Sequence, residues 1–163
     1  MDIAIISDTH LPRGERALPE ACVARLRAAD LIIHAGDFMR LSVLRDLQAL
    51  GPQVIGVHGN VDDSDVRAAL PEAELVRAAH TQIGVIHDAG PATRRLQRLK
   101  RRFPQAGAVV FGHSHIPLHE RAVDGFQIFN PGSPTERRRA PHHTMGIAHV
   151  SGPEITFELI TLD

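Results

Sequence analysis

At 163 residues the chain has room for one domain of ordinary size, expected to run from residue 1 to 163 around one core. Hydrophobic residues at 43% and charged residues at 23% match globular averages, which argues against a disordered or fibrous chain. Eighteen basic and nineteen acidic side chains give a net charge of -1, so no overall field gathers nucleic acid or an anionic membrane.

In chain order, short β-branched runs alternate with helical patterns. Ile3 to Ile6, Leu31 to Ile33, Val54 to Val57, Val85 to Ile86 and Val109 to Phe111 read as strands. Between them, Pro19 to Ala29 reads as a helix with proline in its first turn. Leu41 to Leu50 carries Leu44, Leu47 and Leu50 on one face, and Arg94 to Phe103 carries Leu96, Leu99 and Phe103 at helical spacing. This alternation predicts a parallel sheet with helical crossovers. The last third changes character. Leu118 to Val123, Phe126 to Phe129, Thr144 to Val150 and Glu154 to Ile160 read as antiparallel strands separated by turns. Both halves fit a mixed α/β domain with two packed sheets and helices outside. Cys22 is the only cysteine, so no internal disulfide forms. Met1-Asp2 opens without a signal-like stretch, and no apolar run reaches the roughly 20 residues a bilayer crossing needs, so a cytoplasmic location is expected.

Histidine is the compositional anomaly, at eleven residues in a chain with no Trp and no Tyr. The strand patterns run into Ser7-Asp8-Thr9-His10, His34-Ala35-Gly36-Asp37, His58-Gly59-Asn60, His87-Asp88 and Gly112-His113-Ser114-His115. Polar groups thus gather at strand carboxyl ends, the edge where open α/β sheets bind ligands. In an extended segment residues i and i+2 point to one side, which predicts convergence of Asp8 with His10 and of His113 with His115. Mixed imidazole and carboxylate ligands suit Mn, Fe, Zn, Co or Ni better than Ca or Mg.

Asp8-x-His10, Gly36-Asp37, Gly59-Asn60, His87, Gly112-His113-Ser114-His115 and Asn130-Pro131-Gly132-Ser133 occur in the order found in calcineurin-like metallophosphoesterases. The chain most closely resembles their small bacterial and archaeal phosphodiesterase branch. The resemblance implies two packed mixed sheets flanked by helices, in a four-layer sandwich. It implies two divalent transition-metal ions, Mn foremost, with Ni, Fe, Zn or Co as alternatives. Asp8, His10, Asp37 and His115 would hold one ion, and Asp37 would bridge to a second held by Asn60, His87 and His113. Asp37, Asn60 and His87 are the expected catalytic residues, and Asn60 and His58 the expected contacts to substrate. The implied reaction is hydrolysis of a small-molecule phosphate ester, a phosphodiester first and a nucleotide-like one in view, by a hydroxide bridging the metals. A scaffold with a degraded metal site, as in the retromer sorting complex, is the alternative on the same fold. No membrane and no specific nucleic acid is expected as partner, and a homo-oligomer is left open.

Two positions depart from the pattern. Val61 stands where many members have His and the small branch often has Cys, and valine transfers no proton. Asp88 follows His87 where relatives usually have Gly. His34 is expected to support the site without binding metal. His80, His119, His142, His143 and His149 match no motif. The basic run Arg94 to Arg102 reads as a solvated helix face, whereas Arg137-Arg138-Arg139 divides evenly between a phosphate contact and a surface loop.

Overall fold

The computed structural model describes residues 1–163. In chain order the elements are β1 (Asp2–Ile6), α1 (Glu20–Ala28), β2 (Leu31–His34), α2 (Leu41–Gln48), β3 (Gln53–Gly56), α3 (Ser64–Ala69), β4 (Ala73–Ala78), β5 (Thr81–Ile86), α4 (Arg95–Arg102), β6 (Ala108–Val110), β7 (Leu118–Arg121), β8 (Gln127–Asn130), β9 (Thr144–Ser151) and β10 (Glu154–Thr161). They build two five-stranded sheets of order β10-β9-β1-β2-β3 and β4-β5-β6-β8-β7. Strand alternation sorts the side chains between layers. Ile3 and Ile5 of β1 enter the core between the sheets with Ile33, Val85, Val110 and Phe129. Ala4 and Ile6, on the other face, pack with Cys22 and Leu26 of α1, Leu44 and Leu47 of α2 and Val66 of α3. The second sheet turns Val109, Phe111 and Ile128 toward Leu99 and Phe103 of α4. The result is the expected helix, sheet, sheet, helix sandwich. No helix is long and apolar enough to cross a membrane.

The parallel strands do not form one sheet. β1, β2 and β3 run parallel in the first, while β5 and β6 run parallel in the second together with β8. The late strands are shared out in turn: β9 pairs antiparallel with β1 and β10 antiparallel with β9 to close the first sheet, and β7 and β8 close the second. Two elements lie outside the sequence reading. α3 is too short to show a helical period, although Asp63 caps it by accepting a hydrogen bond from the Val66 N–H. β4 pairs antiparallel with β5 from Thr81 onward, so β5 begins before the Val85-Ile86 run. Pro19 stands at the cap of α1 rather than in its first turn, and its carbonyl accepts from Cys22 and Val23.

Candidate metal centre

The carboxyl ends of β1, β2, β3, β5 and β6 meet along the seam between the two sheets. Beyond them the backbone stays paired: Asp8 N–H donates to Gly36 O, His10 N–H to Asp37 O and Gly112 N–H to His87 O. These segments are not extended. Asp8, His10, Asp37, His113 and His115 all have positive φ, between 46° and 73°. Left-handed turns therefore replace the extended i, i+2 geometry expected here, a conformation L-residues adopt at a cost and concentrate at functional sites. The turns send the paired residues apart as well as together. His115 joins Asp8 and His10, while His113 faces Asn60.

Close approach at this seam demands glycine. A Cβ on Gly36, whose φ is +96°, would lie 2.6 Å from His87 Nδ1, and one on Gly112 would collide with the Ser7 hydroxyl.

Four of the ligand candidates are held from behind by the protein. Asp8 Oδ2 accepts from the Ser7 hydroxyl at 2.7 Å and the His113 N–H at 3.0 Å, which leaves Oδ1 facing the site. Asp37 Oδ1 accepts from the Val61 N–H at 3.0 Å, so Oδ2 alone faces inward, 3.4 Å from His10 Nε2 and 3.2 Å from His87 Nε2. A bridge by Asp37 thus falls to one oxygen and not to the two that its chemistry offers. His87 Nδ1 donates to Ala35 O at 2.7 Å and His115 Nδ1 to Glu136 O. Both rings therefore turn Nε2 to the site. Asn60 Oδ1 lies 3.0 Å from His87 Nε2 and 3.0 Å from His113 Nδ1.

The consequence is a cluster of ligand atoms that the protein leaves only partly satisfied. Asp8 Oδ1, His10 Nε2 and His115 Nε2 are buried and have no hydrogen-bond partner. Orphaned buried polar atoms are costly unless a cation completes them, so the residues present fit a metal. Two groups satisfy metal-ligand spacing, Asp8-His10-His115 and Asp8-Asp37-His87. Without metal, protons share that task. Burial pulls the His10 imidazole down, but the Asp37 and Asp8 carboxylates outweigh it and raise His10 to about 9. Burial lowers His87 too, yet Asp37 and Asp8 leave it raised, while His115 ends lowered because burial dominates there. Burial opposes ionisation of Asp37, but the His10 and His87 imidazoles beside its carboxylate hold its pKa far below the usual carboxylate range.

Several supporting residues carry no sequence signal. Asp62 is buried and accepts from three backbone N–H groups, those of Asp37, Met39 and Gly59. Arg67 donates to the carbonyls of Gly59, Asn60 and Asp62 and so fixes the same loop. Ser133 donates to Asp8 O and accepts from Thr135 and Glu136, which gives the Asn130-Pro131-Gly132-Ser133 turn its place in the site. His34 supports the site as expected: it is buried beside Thr9, accepts from Gly36 N–H, and burial pulls its pKa down to about 3. His58 lines a cleft of about 200 Å³ with Asn60, His87, Arg67, Glu72 and Asp88. The exposed Asp88 carboxylate accepts from Gly90 N–H and so shapes its own turn. Val61 is 39% exposed beside Asn60. The basic run divides: Arg95 and Arg98 donate to carbonyls of the 89–93 loop, while Arg101 and Arg102 face solvent. Arg137, Arg138 and Arg139 are exposed on the loop that follows Glu136.

Comparison with known proteins agrees with this architecture. The family model for the calcineurin-like phosphoesterase superfamily domain matches residues 1–152. A "probable metallophosphoesterase" of Methanothermobacter thermautotrophicus is 32% identical over 162 residues, covering 98% of this chain and 92% of that one. A phosphodiesterase of Methanocaldococcus jannaschii is 24% identical over 145 residues, covering 81% and 83%. Among solved structures, Vps29 of Entamoeba histolytica complexed with zinc superposes with a TM-score of 0.78 over 100% of both chains, at 19% identity, a likeness of fold. A ligand-rich seam between two sheets, the sequence match along most of the chain and the relative that spans nearly all of it agree, and the chain belongs to the calcineurin-like phosphoesterase superfamily.

Proposed function

We propose that the chain is a single-domain, metal-dependent phosphodiesterase that works with two divalent transition-metal ions. Asp8, His10, Asp37 and His115 would hold one ion, and Asp37, Asn60, His87 and His113 the other. The observation that carries this reading is the convergence of carboxylate, amide and imidazole ligand atoms, three of them buried and without a hydrogen-bond partner. When bound, such a metal pair neutralises phosphate oxygens and makes a water acidic enough to ionise near neutral pH. The chain's own residues set the geometry. The Val61 N–H fixes Asp37 so that one oxygen serves both groups. Ala35 O and Glu136 O fix the tautomers of His87 and His115. The cleft beside Asn60 and His87, lined by His58, is the approach for a phosphate ester. Valine at position 61 supplies no proton there, which favours esters whose leaving group departs without one, and the relative that carries the phosphodiesterase name supports that choice of substrate.

The test is a screen of phosphomonoesters, linear and cyclic phosphodiesters with protein stripped by chelator and reloaded with Mn, Ni or Zn. Hydrolysis of diesters that disappears on stripping and returns with metal is the expected result. Bound metal with no ester cleaved would instead support a scaffold role on this fold.

A further inference from the structure

Glu136 lies three residues beyond the Asn130-Pro131-Gly132-Ser133 turn, and it touches the Asp8-His10-His115 group twice. Its carbonyl oxygen accepts from His115 Nδ1, and its carboxylate Oε2 lies 3.2 Å from His10 Nδ1. Both contacts are made to the ring nitrogen that points away from the centre. They leave Nε2 of each imidazole free, and those two atoms are the ones that lie buried without a partner. Oε2 is itself a buried atom with no hydrogen bond, so the structure offers His10 an acceptor that no other group hydrogen-bonds. The carboxylate is also fixed in place. Ser133 Oγ accepts the Glu136 N–H at 2.9 Å, Arg13 donates to Oε1 at 3.2 Å, and Arg16 Nη1 stands 3.6 Å from Oε2.

On the reading of this seam as a metal centre, we propose that Glu136 is a positioning residue for the ion held by Asp8, His10 and His115. It orients two of that ion's imidazoles, one through its side chain and one through its backbone. Arg13 and Arg16 serve the same end from the segment that follows His10. They tie the 11–16 loop to the 133–140 loop across the buried face of the ligand set. Partners behind a metal-bound imidazole hold ring and tautomer, and their loss typically lowers metal affinity about 10–100-fold. The substitution Glu136→Ala removes the side-chain contact to His10 and keeps the carbonyl contact to His115. Glu136→Gln keeps an acceptor oxygen of the same reach.

The experiment is calorimetric titration of the metal-free full chain with Mn(II), run on wild type, E136A and E136Q, with thermal unfolding of the metal-free forms alongside. Wild type should show two binding events. E136A should weaken one of them about 10–100-fold and leave the other unchanged, and E136Q should recover most of the loss. Metal-free E136A should unfold at nearly the wild-type temperature, which separates positioning from general damage. Equal affinities in wild type and E136A, or both events weakened alike and unrescued by E136Q, would overturn the role of Glu136. Absence of binding by wild type would overturn the metal reading itself, a separate result.

Discussion

The two halves of the centre differ in how much protein surrounds them. Asp8, His10 and His115 are buried, and each is held from behind by Ser7, Glu136 or the turn at Gly112. Asn60 and His113 are exposed, and of their group only His87 and the shared Asp37 are buried. A ligand set fixed on all sides loses little freedom when a cation binds, whereas mobile, hydrated ligands must first be ordered. On the proposed two-metal reading, the deep half would retain its ion and the open half would meet the substrate. Asp37 Oδ2 is the joint between them.

Breaking the joint has the largest expected effect. Asp37→Asn removes the negative charge shared by both halves, and it should lower phosphodiesterase activity at saturating metal by more than the roughly 100-fold that loss of a supporting partner costs. Retention of more than about a tenth of the wild-type rate would leave no room for a bridging role.

Breaking one half at a time sharpens the comparison. His115→Ala should weaken the tighter of two metal-binding events, and His113→Ala the weaker one, each with a loss of activity. His119→Ala is the control, because that ring lies against Phe129 and Phe157 and bonds Gln127 far from the centre. The three variants compared by titration and by diester hydrolysis give the answer, and equal damage from all of them would reduce the histidine pair to a structural cluster.

The open half carries the next prediction. A general acid contributes roughly 10²–10⁴-fold when the departing oxygen is basic, and Val61 has none to give. The wild-type rate should fall steeply along a series of diesters from nitrophenolate to alkoxide leaving groups, and Val61→His should flatten that slope. A flat series for wild type would assign the proton to another group, with His58 of the adjoining cleft the first to examine.

The smallest effect belongs to the deep half and to pH. His10, raised to about 9 in the metal-free fold, stabilises it fully below an unfolded value near 6.5 and ceases to do so as pH rises through about 9. Metal binding has the opposite sign, since the ion displaces that proton and binds more strongly as pH rises. The gap in melting temperature between loaded and metal-free protein should therefore widen from pH 6.5 to 9. A gap constant over that interval would separate His10 from metal binding.

The ligand candidates were legible because each sits in a short motif at a strand end. The local geometry was not, because positive φ at Asp8, His10, Asp37, His113 and His115 leaves no trace in a pattern of residue types. The residues behind the ligands were hidden for another reason. Glu136 reaches His10 across more than a hundred residues of chain, and Asp62 resembles any loop aspartate until three backbone N–H groups are seen to converge on it. Unbroken apolar runs located β1, β2 and β6 well, since both their faces are covered. β4 escaped because Ala73-Glu74-Leu75 reads as helix-forming, and its pairing with β5 overrides that propensity.

The central claim is that one carboxylate oxygen of Asp37 joins two metal ions of unequal enclosure. Anomalous diffraction from crystals grown with Mn(II) tests it directly. The expected result is two peaks roughly 3.5–4 Å apart on either side of Asp37 Oδ2, the deep one at full occupancy before the open one. A single peak, or a pair that does not share Asp37, would contradict it.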